Sequence, residues 1–270
     1  MTTTPYTSPI PVRRAHLGDA IASEWTKMRS LRSTVWTLGA LGALVAGPGV
    51  LLAVLLDETP PDPPESGLSV PSLGLLGMLL ATVCVITLGV LTVTSEFGTG
   101  MIRTTLTACP SRGRVLTAKA IVFSGLVFVT TSLVSAFTAA AQVAILGTSG
   151  GATTGQWIRV TVGVGLFMAC LGLLSLAVGT LLRHSAGSIT TMIGLVLLPY
   201  VLAIGLYTDE LSRLRTALVE YSIPALLGSL YIGDAGGMPM PSGWDAVGII
   251  AGAAAVALGG AYAALDRRDA

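Results

Sequence analysis

Six stretches of this chain are long, apolar and nearly free of charge, and they decide most of what it can fold into. They run over about 36–56, 72–93, 120–146, 158–182, 186–206 and 244–265, and their charged residues, Arg159 and Asp245, each stand second in a run. Twenty helical residues cover about 30 Å, the thickness of a hydrocarbon core. In lipid every backbone N–H and C=O must be paired within the segment, so these runs are read as helices. Hydrophobic residues make up 52% of the 270 and charged residues 11%, whereas a soluble domain is about a quarter charged. The expectation is an all-α integral membrane protein with a six-span transmembrane domain over 36–265.

The flanks and connections carry their own signals. Residues 1–16 form a Thr- and Pro-rich tail, expected to be disordered over its first dozen residues. From Leu17 to Val35, Leu17, Ile21, Trp25, Met28, Leu31 and Val35 fall on one face of a helix, with Glu24, Lys27, Arg29 and Arg32 largely on the others. Such a helix abutting a span is read as lying in the headgroup plane, in preference to an ordinary soluble amphipathic helix. Gly47-Pro48-Gly49 is expected to kink or loosen the first span. DETPPDPPESG, residues 57–67, reads as a loop, as does the Gly/Thr-rich TSGGATTGQ after the third span. Arg183-His184 makes a very short turn. Residues 207–242 form a longer connection, amphipathic before Pro224 and apolar but too short to cross after it. A pair of short helices dipping into the bilayer and returning, or a soluble surface hairpin, both fit. A short tail, 266–270, closes the chain.

Cations count twelve on one side of the six spans against three (Arg159, Arg213, Arg215) on the other. The positive-inside rule then places both termini and the stretch Thr94–Lys119 in the cytoplasm. The first 35 residues lack an apolar signal-peptide core, so targeting falls to the first span.

Several chemistries leave no trace. No HExxH, GxSxG or GxxxxGK[ST] motif occurs, so no metalloprotease, hydrolase or ATP-hydrolysing site is expected, and the chain is read as no enzyme. Cys84, Cys109 and Cys170 have no CxxC spacing, and His16 and His184 lie far apart, so no disulfide framework or metal site is expected. Cys109, beside Pro110, reads as a small residue at a helix end rather than a reactive thiol. No Asp, Glu, Lys, Arg or His sits at mid-span depth, which argues against ion-coupled transport.

Two polar features remain. Ser124, Thr131, Ser135, Thr138 and Gln142 form one stripe down the third span. It reads either as a pathway or subunit interface, or as helix packing in which hydroxyls bond to backbone. The other is Thr94–Lys119, between the second and third spans. Glu96 is expected near a helix N-terminus with Arg103 on the same face, Gly98 and Gly100 to break helicity, and Pro110 and Ser111 to start the next helix. Phe97, Met101, Ile102 and Leu106 are apolar and call for a membrane surface or a protein to cover them, whereas Arg112, Arg114 and Lys119 read as membrane anchors.

SEWTKMRSLRSTVW, the six spans, and EFGTGMIRTTL followed by PSRGRVLTAK resemble the permease subunit of a bacterial type-2 ABC exporter, from about Leu17 onward. The resemblance implies that residues 17–35 are a connecting helix, that a cytoplasmic coupling helix lies between spans 2 and 3, and that a re-entrant helical hairpin precedes span 6. It implies an ATPase-coupling contact at Glu96, Phe97, Gly98, Thr99, Met101, Ile102, Arg103 and Leu106. It also implies a half-transporter in the bacterial cell membrane that dimerises with a second copy, homodimer or heterodimer, and pairs with a nucleotide-binding ATPase subunit. ATP and Mg would bind that subunit and no cofactor would bind this chain; lipid is the other expected partner, and nucleic acid is not one. The competing reading is a stand-alone channel, carrier or membrane scaffold not driven by ATP. The uncharged, hydroxyl-bearing spans suggest apolar or amphipathic cargo.

Overall fold

The computed structural model describes residues 16–58, 69–101, 104, 107, 111–206, 208, 211–232 and 241–267. Among them the chain is helical throughout, with no strand. In order, the helices are α1 (Leu17–Ser30), α2 (Arg32–Glu58), α3 (Leu75–Gly98, after a 3₁₀ turn at Val70–Gly74), α4 (Arg112–Leu146) and α5 (Thr154–Leu182). There follow α6 (Ser185–Gly205), α7 (Ser212–Glu220), α8 (Ile223–Ile232) and α9 (Gly243–Arg267). Six of these, α2 to α6 and α9, are long and apolar enough to cross a membrane.

Burial sorts the six. α5 is the most deeply buried of the six and α6 the least. α5 is the axis of the bundle, packed on by α3, α4 and α9. The inward face of α9 is Ala246, Ile250, Ala254, Ala261 and Leu265, spaced at one helix turn or two. Lipid tails are as apolar as leucine, so what holds such helices together is close van der Waals fit, and fit requires small residues at the crossings. Gly89 on α3 and Gly172 on α5 supply it. A Cβ at Gly89 would lie 2.7 Å from the Gly172 carbonyl oxygen, and one at Gly172 would lie 2.6 Å from the buried Phe123 ring.

A second close approach joins α2 to α3. Pro48 has no N–H, so the Leu44 carbonyl lacks its usual donor one turn on. Gly77 packs against this spot, where a Cβ would lie 2.5 Å from the Val45 carbonyl oxygen and 2.8 Å from that of Leu44. α2 stays helical through Gly47-Pro48-Gly49.

Two of the boundary differences bear on the α1 end of the bundle. Leu31 leaves the helical region (φ −76°, ψ 115°), so the amphipathic segment ends at Ser30 and the first crossing helix begins at Arg32. α4 begins at Arg112, eight residues before its apolar run, and its 35 residues extend about 50 Å, well beyond a hydrocarbon core. That extension is stitched to the end of α9: Arg112 donates to the Leu265 carbonyl at 2.9 Å, and Thr117 and Tyr262 share a hydrogen bond of 2.7 Å. Arg112 thus caps a helix C-terminus, where a guanidinium also meets the negative end of the dipole.

At the far end, α7 has no buried residue, whereas α8 sinks into the bundle through Leu226, Leu227, Leu230 and Tyr231. Ten residues of α8 span about 15 Å, half of a hydrocarbon core. Leu230 packs beside Gly163, in a single π turn (Arg159–Gly163) that interrupts α5.

The Gly77 contact is with backbone, which cannot rotate away. Gly77→Ala is expected to cost about 1–3 kcal/mol, read as a lower melting temperature in detergent. Gly194→Ala on α6, where nothing lies within 4 Å of the added carbon, should not lower it.

Candidate functional site

The charges at the α1 end of the bundle do not all face outward. Glu24 and Lys27 lie on α1, Glu96 in the last turn of α3, and Lys119 two turns into α4. Lys27 Nζ donates to Glu24 Oε1 at 2.7 Å and to Glu96 Oε1 at 3.0 Å. Lys119 Nζ donates to Glu24 Oε2 at 2.6 Å and to Glu96 Oε1 at 3.0 Å. The four form a ring of alternating sign. The side chains of Glu24 and Lys119 are each 4% exposed, that of Glu96 7%, and that of Lys27 25%.

This geometry corrects three expectations. Glu24 and Lys27 were assigned to the polar face of α1, yet the helix turns Glu24 and Met28 into the bundle and leaves Trp25 half exposed. Glu96 was expected at a helix N-terminus. It stands at the C-terminus of α3, where the dipole disfavours a carboxylate by about 0.3–1 kcal/mol, and the two ammonium groups more than offset this. Lys119 is no membrane anchor but the buried centre of the ring. A lone buried ion costs several kcal/mol of lost hydration, so each member is tolerated only beside its opposites.

Burial by itself would raise the Glu24 carboxyl, but Lys119 and then Lys27 hold it below the usual carboxylate range. Burial by itself would lower the Lys27 ammonium, but hydrogen bonds to Glu24 and Glu96 hold it above the usual lysine value.

Of the sequence-derived coupling residues, Glu96 is buried, Phe97 half-buried, and Gly98, Thr99 and Met101 exposed. The Phe97 ring lies under the Arg183 guanidinium, 5.0 Å from it, so the end of α3 is also fastened to the turn between α5 and α6. That turn needs Arg183 in the left-handed region (φ 54°), and His184 then caps α6 by accepting from the Gly187 N–H at 3.0 Å. Gly100 (φ 72°) bends the chain after α3, and Met101, Thr104 and Thr107 beyond it are helical. Ile102, Arg103 and Leu106 lie outside the described residues, as do Cys109 and Pro110. Ser111 occupies the N-cap of α4 without a side-chain capping bond.

The hydroxyl stripe on α4 is covered by its own chain. Thr131 and Thr138 bond to carbonyls one turn back, Ser135 donates to the Val160 carbonyl in the π turn at 2.7 Å, and Gln142 donates to the Gly49 carbonyl at 3.1 Å. Thr131, Ser135, Thr138 and Gln142 are buried, where they pack α4 against α2 and α5. Ser124, half-buried, bonds to the Ile121 carbonyl. Among the described residues no His, Cys, Asp and Glu cluster could hold a metal.

The alternating ring was within reach of the sequence. Glu96 and Lys119 are the charges nearest the apolar runs on either side of one connection, which sets them at one depth on neighbouring helices. Glu24 and Lys27, three apart, share a helix face.

Removing one member strands the others. Lys119→Met is expected to cost about 3–5 kcal/mol, and the pair Glu96→Gln with Lys119→Met to cost less than the two single changes summed; unfolding in detergent reads both. The sign with pH follows from the two shifts. Glu24, depressed, contributes fully above the ordinary glutamate value of 4.5, and this is lost as pH falls through its lower folded value. Lys27, raised, contributes fully below the ordinary lysine value of 10.5, and this is lost as pH rises through its higher one. The melting temperature should therefore be level between these limits and fall outside them.

Among curated proteins none matches this chain. The model of a family described as ABC-2 family transporter protein matches residues 20–204, well over half of the chain and all of α2 to α5 with most of α1 and α6. Joined to six apolar crossing helices on an all-helical scaffold, that match makes the chain a member of the ABC-2 transporter family, a multi-pass membrane permease of an ATP-binding-cassette transporter.

Proposed function

We propose that this permease is a half-transporter for export: two copies build the substrate path, and each is driven by a separate ATPase subunit that holds ATP and Mg. The α1 end of the bundle faces the cytoplasm, as the twelve-to-three distribution of cations supports. The observation that carries the reading is the family match, which runs through the connection between α3 and α4 and the helices on either side of it.

The fastening of that connection suggests how it would work. Exposed Thr99 and Met101 offer a contact surface on the far side of Gly98, while Glu96 behind them is an internal tie rather than a contact. The ion-pair ring joins the α3 end to α1 and α4, Phe97 joins it to the α5–α6 turn, and Arg112 joins α4 to α9. A push on the connection or on α1 is thereby delivered to several spans together, which is what coupling between separate sites requires. The exposed apolar flank of α6 (Leu195, Leu198, Val201, Ile204) is suited to lipid or to the second copy.

Purified alone, the chain should hydrolyse no ATP, and a co-expressed nucleotide-binding subunit should copurify with it. Phe97→Ala and Met101→Arg should lower ATP-driven export by about tenfold or more, with membrane insertion unchanged. Full export by both variants would remove the coupling role from this connection. Transport in cells lacking any partner ATPase would replace the reading with a stand-alone carrier or channel.

A further inference from the structure

A cavity of about 410 Å³ opens between the second half of α1, the start of α2 and the last turns of α3. The whole ion-pair ring lines it, together with Leu31, Leu88 and Leu91 and a set of hydroxyls. Two valences of the ring are unfilled. Glu96 Oε2 is buried and accepts no hydrogen bond, while Oε1 of the same carboxylate accepts two. Lys27 uses two of the three donors of its ammonium and is the most exposed of the four.

The hydroxyls narrow the chemistry further. Ser30, Thr37, Thr92, Ser95 and Thr99 each give their proton to a backbone carbonyl of their own helix, one turn back. What they present to the cavity is lone pairs. The cavity is therefore rich in acceptors, with one carboxylate oxygen unfilled, and holds a partly exposed ammonium beside them. Its complement is a cation with several N–H donors next to an anion. A quaternary ammonium has no N–H to give, and a purely anionic group would meet two carboxylates. The position selects the source. The cavity lies where α1 meets α2, and exposed Trp25, Leu31, Val35 and Trp36 surround that junction as amphipathic and apolar groups do at a membrane boundary. Exposed Leu31 and Leu91 continue the cavity wall as an apolar surface for acyl chains.

We propose that this cavity binds an ethanolamine phospholipid. The ammonium is received by Glu96 Oε2 and the lone pairs of Thr92 and Ser95, and the phosphate by Lys27. The last torsion of a glutamate is broad, so a turn of the carboxylate brings Oε2 to the ligand while Lys119 keeps Glu24. The site needs α1 to lie at the membrane boundary and does not depend on pairing with an ATPase.

The test titrates delipidated, purified protein in dodecyl maltoside with dioleoyl-phosphatidylethanolamine, -phosphatidylcholine or -phosphatidylglycerol, counted by native mass spectrometry. The ethanolamine lipid should bind about tenfold more tightly than either other. Thr92→Phe, which fills the cavity, should bring it down to the level of phosphatidylcholine without changing the melting temperature of the lipid-free protein. Ser95→Phe, at an exposed position on the cavity wall, makes the same test should Thr92→Phe fail to fold. Equal binding of the three lipids overturns the proposal and leaves the cavity a socket for a basic side chain of a partner protein. A preference for phosphatidylglycerol overturns it, as does unchanged binding by the folded phenylalanine variants. Decylamine binding as tightly as the phospholipid would make the site one for soluble amines, and the lipid assignment would fall.

Discussion

Four charges of alternating sign, buried at one end of an apolar bundle, set the terms for everything around them. An ion leaves water at a cost of several kcal/mol and recovers it only from opposite charges held at hydrogen-bond distance. Glu24, Lys27, Glu96 and Lys119 come from three helices, so the condition can be met only when α1, α3 and α4 are held in one relative placement. Such a ring adds little net stability compared with apolar residues of equal volume. Its effect is specificity: a rotation of α1 by a quarter turn, which would bury Trp25 in place of Glu24, strands Lys119. The amphipathic helix is therefore fixed to the crossing helices by charge, although its apolar face alone would allow it to slide along a membrane surface.

The rest of the bundle is held by a different device. Where no water is displaced, association depends on how closely two backbones can come, and the crossings at Gly77, Gly89 and Gly172 let carbonyl groups and a phenyl ring fill the place of a side chain. The polar groups inside serve the same end. The π turn in α5 shifts its backbone ladder, and the Val160 carbonyl receives the Ser135 hydroxyl from α4. Gln142 does the same for the Gly49 carbonyl beside Pro48. The hydroxyls of Thr131, Ser135 and Thr138 and the amide N–H of Gln142 are thus spent on backbone, while the Gln142 Oε1 is buried without a partner.

The features legible in the sequence were those whose cause is local. Length and hydropathy alone define the six crossing helices, because hydrocarbon leaves no other option for an uncharged run of twenty residues. Gly100, in the left-handed region, turns the chain just past α3, which still includes Gly98, and the shortness of the Arg183–His184 turn is fixed by the runs on either side. What escaped was set by neighbours. Glu96 and Lys119 look like ordinary interfacial charges until α3 and α4 are placed side by side with α1 across them. The face that α1 turns to the bundle does not follow from its apolar spacing, because a helix at a membrane boundary has apolar surroundings on both sides. The α4 stripe carries the same period whether it lines a path or packs a helix, so its partners at Gly49 and Val160 could not be read from spacing.

The placement of the ring has a mechanical consequence. The connection between α3 and α4 is bounded by Glu96 on one side and Lys119 on the other, and these two are bonded to each other and to α1. Phe97 under Arg183 extends the fastening to α5 and α6, and Arg112 with Thr117 extends it to α9, beyond the part of the chain that defines the family. Motion at this end is therefore shared among the spans before it reaches the hydrocarbon. At the opposite end α7 lies on the surface and α8 is seated beside a π turn, with no ion pair among the described residues there. Ion pairs in a low dielectric resist displacement more steeply than apolar contacts that can slide. A bundle tied by charge at one end and by apolar packing at the other has its more rigid end at the ring.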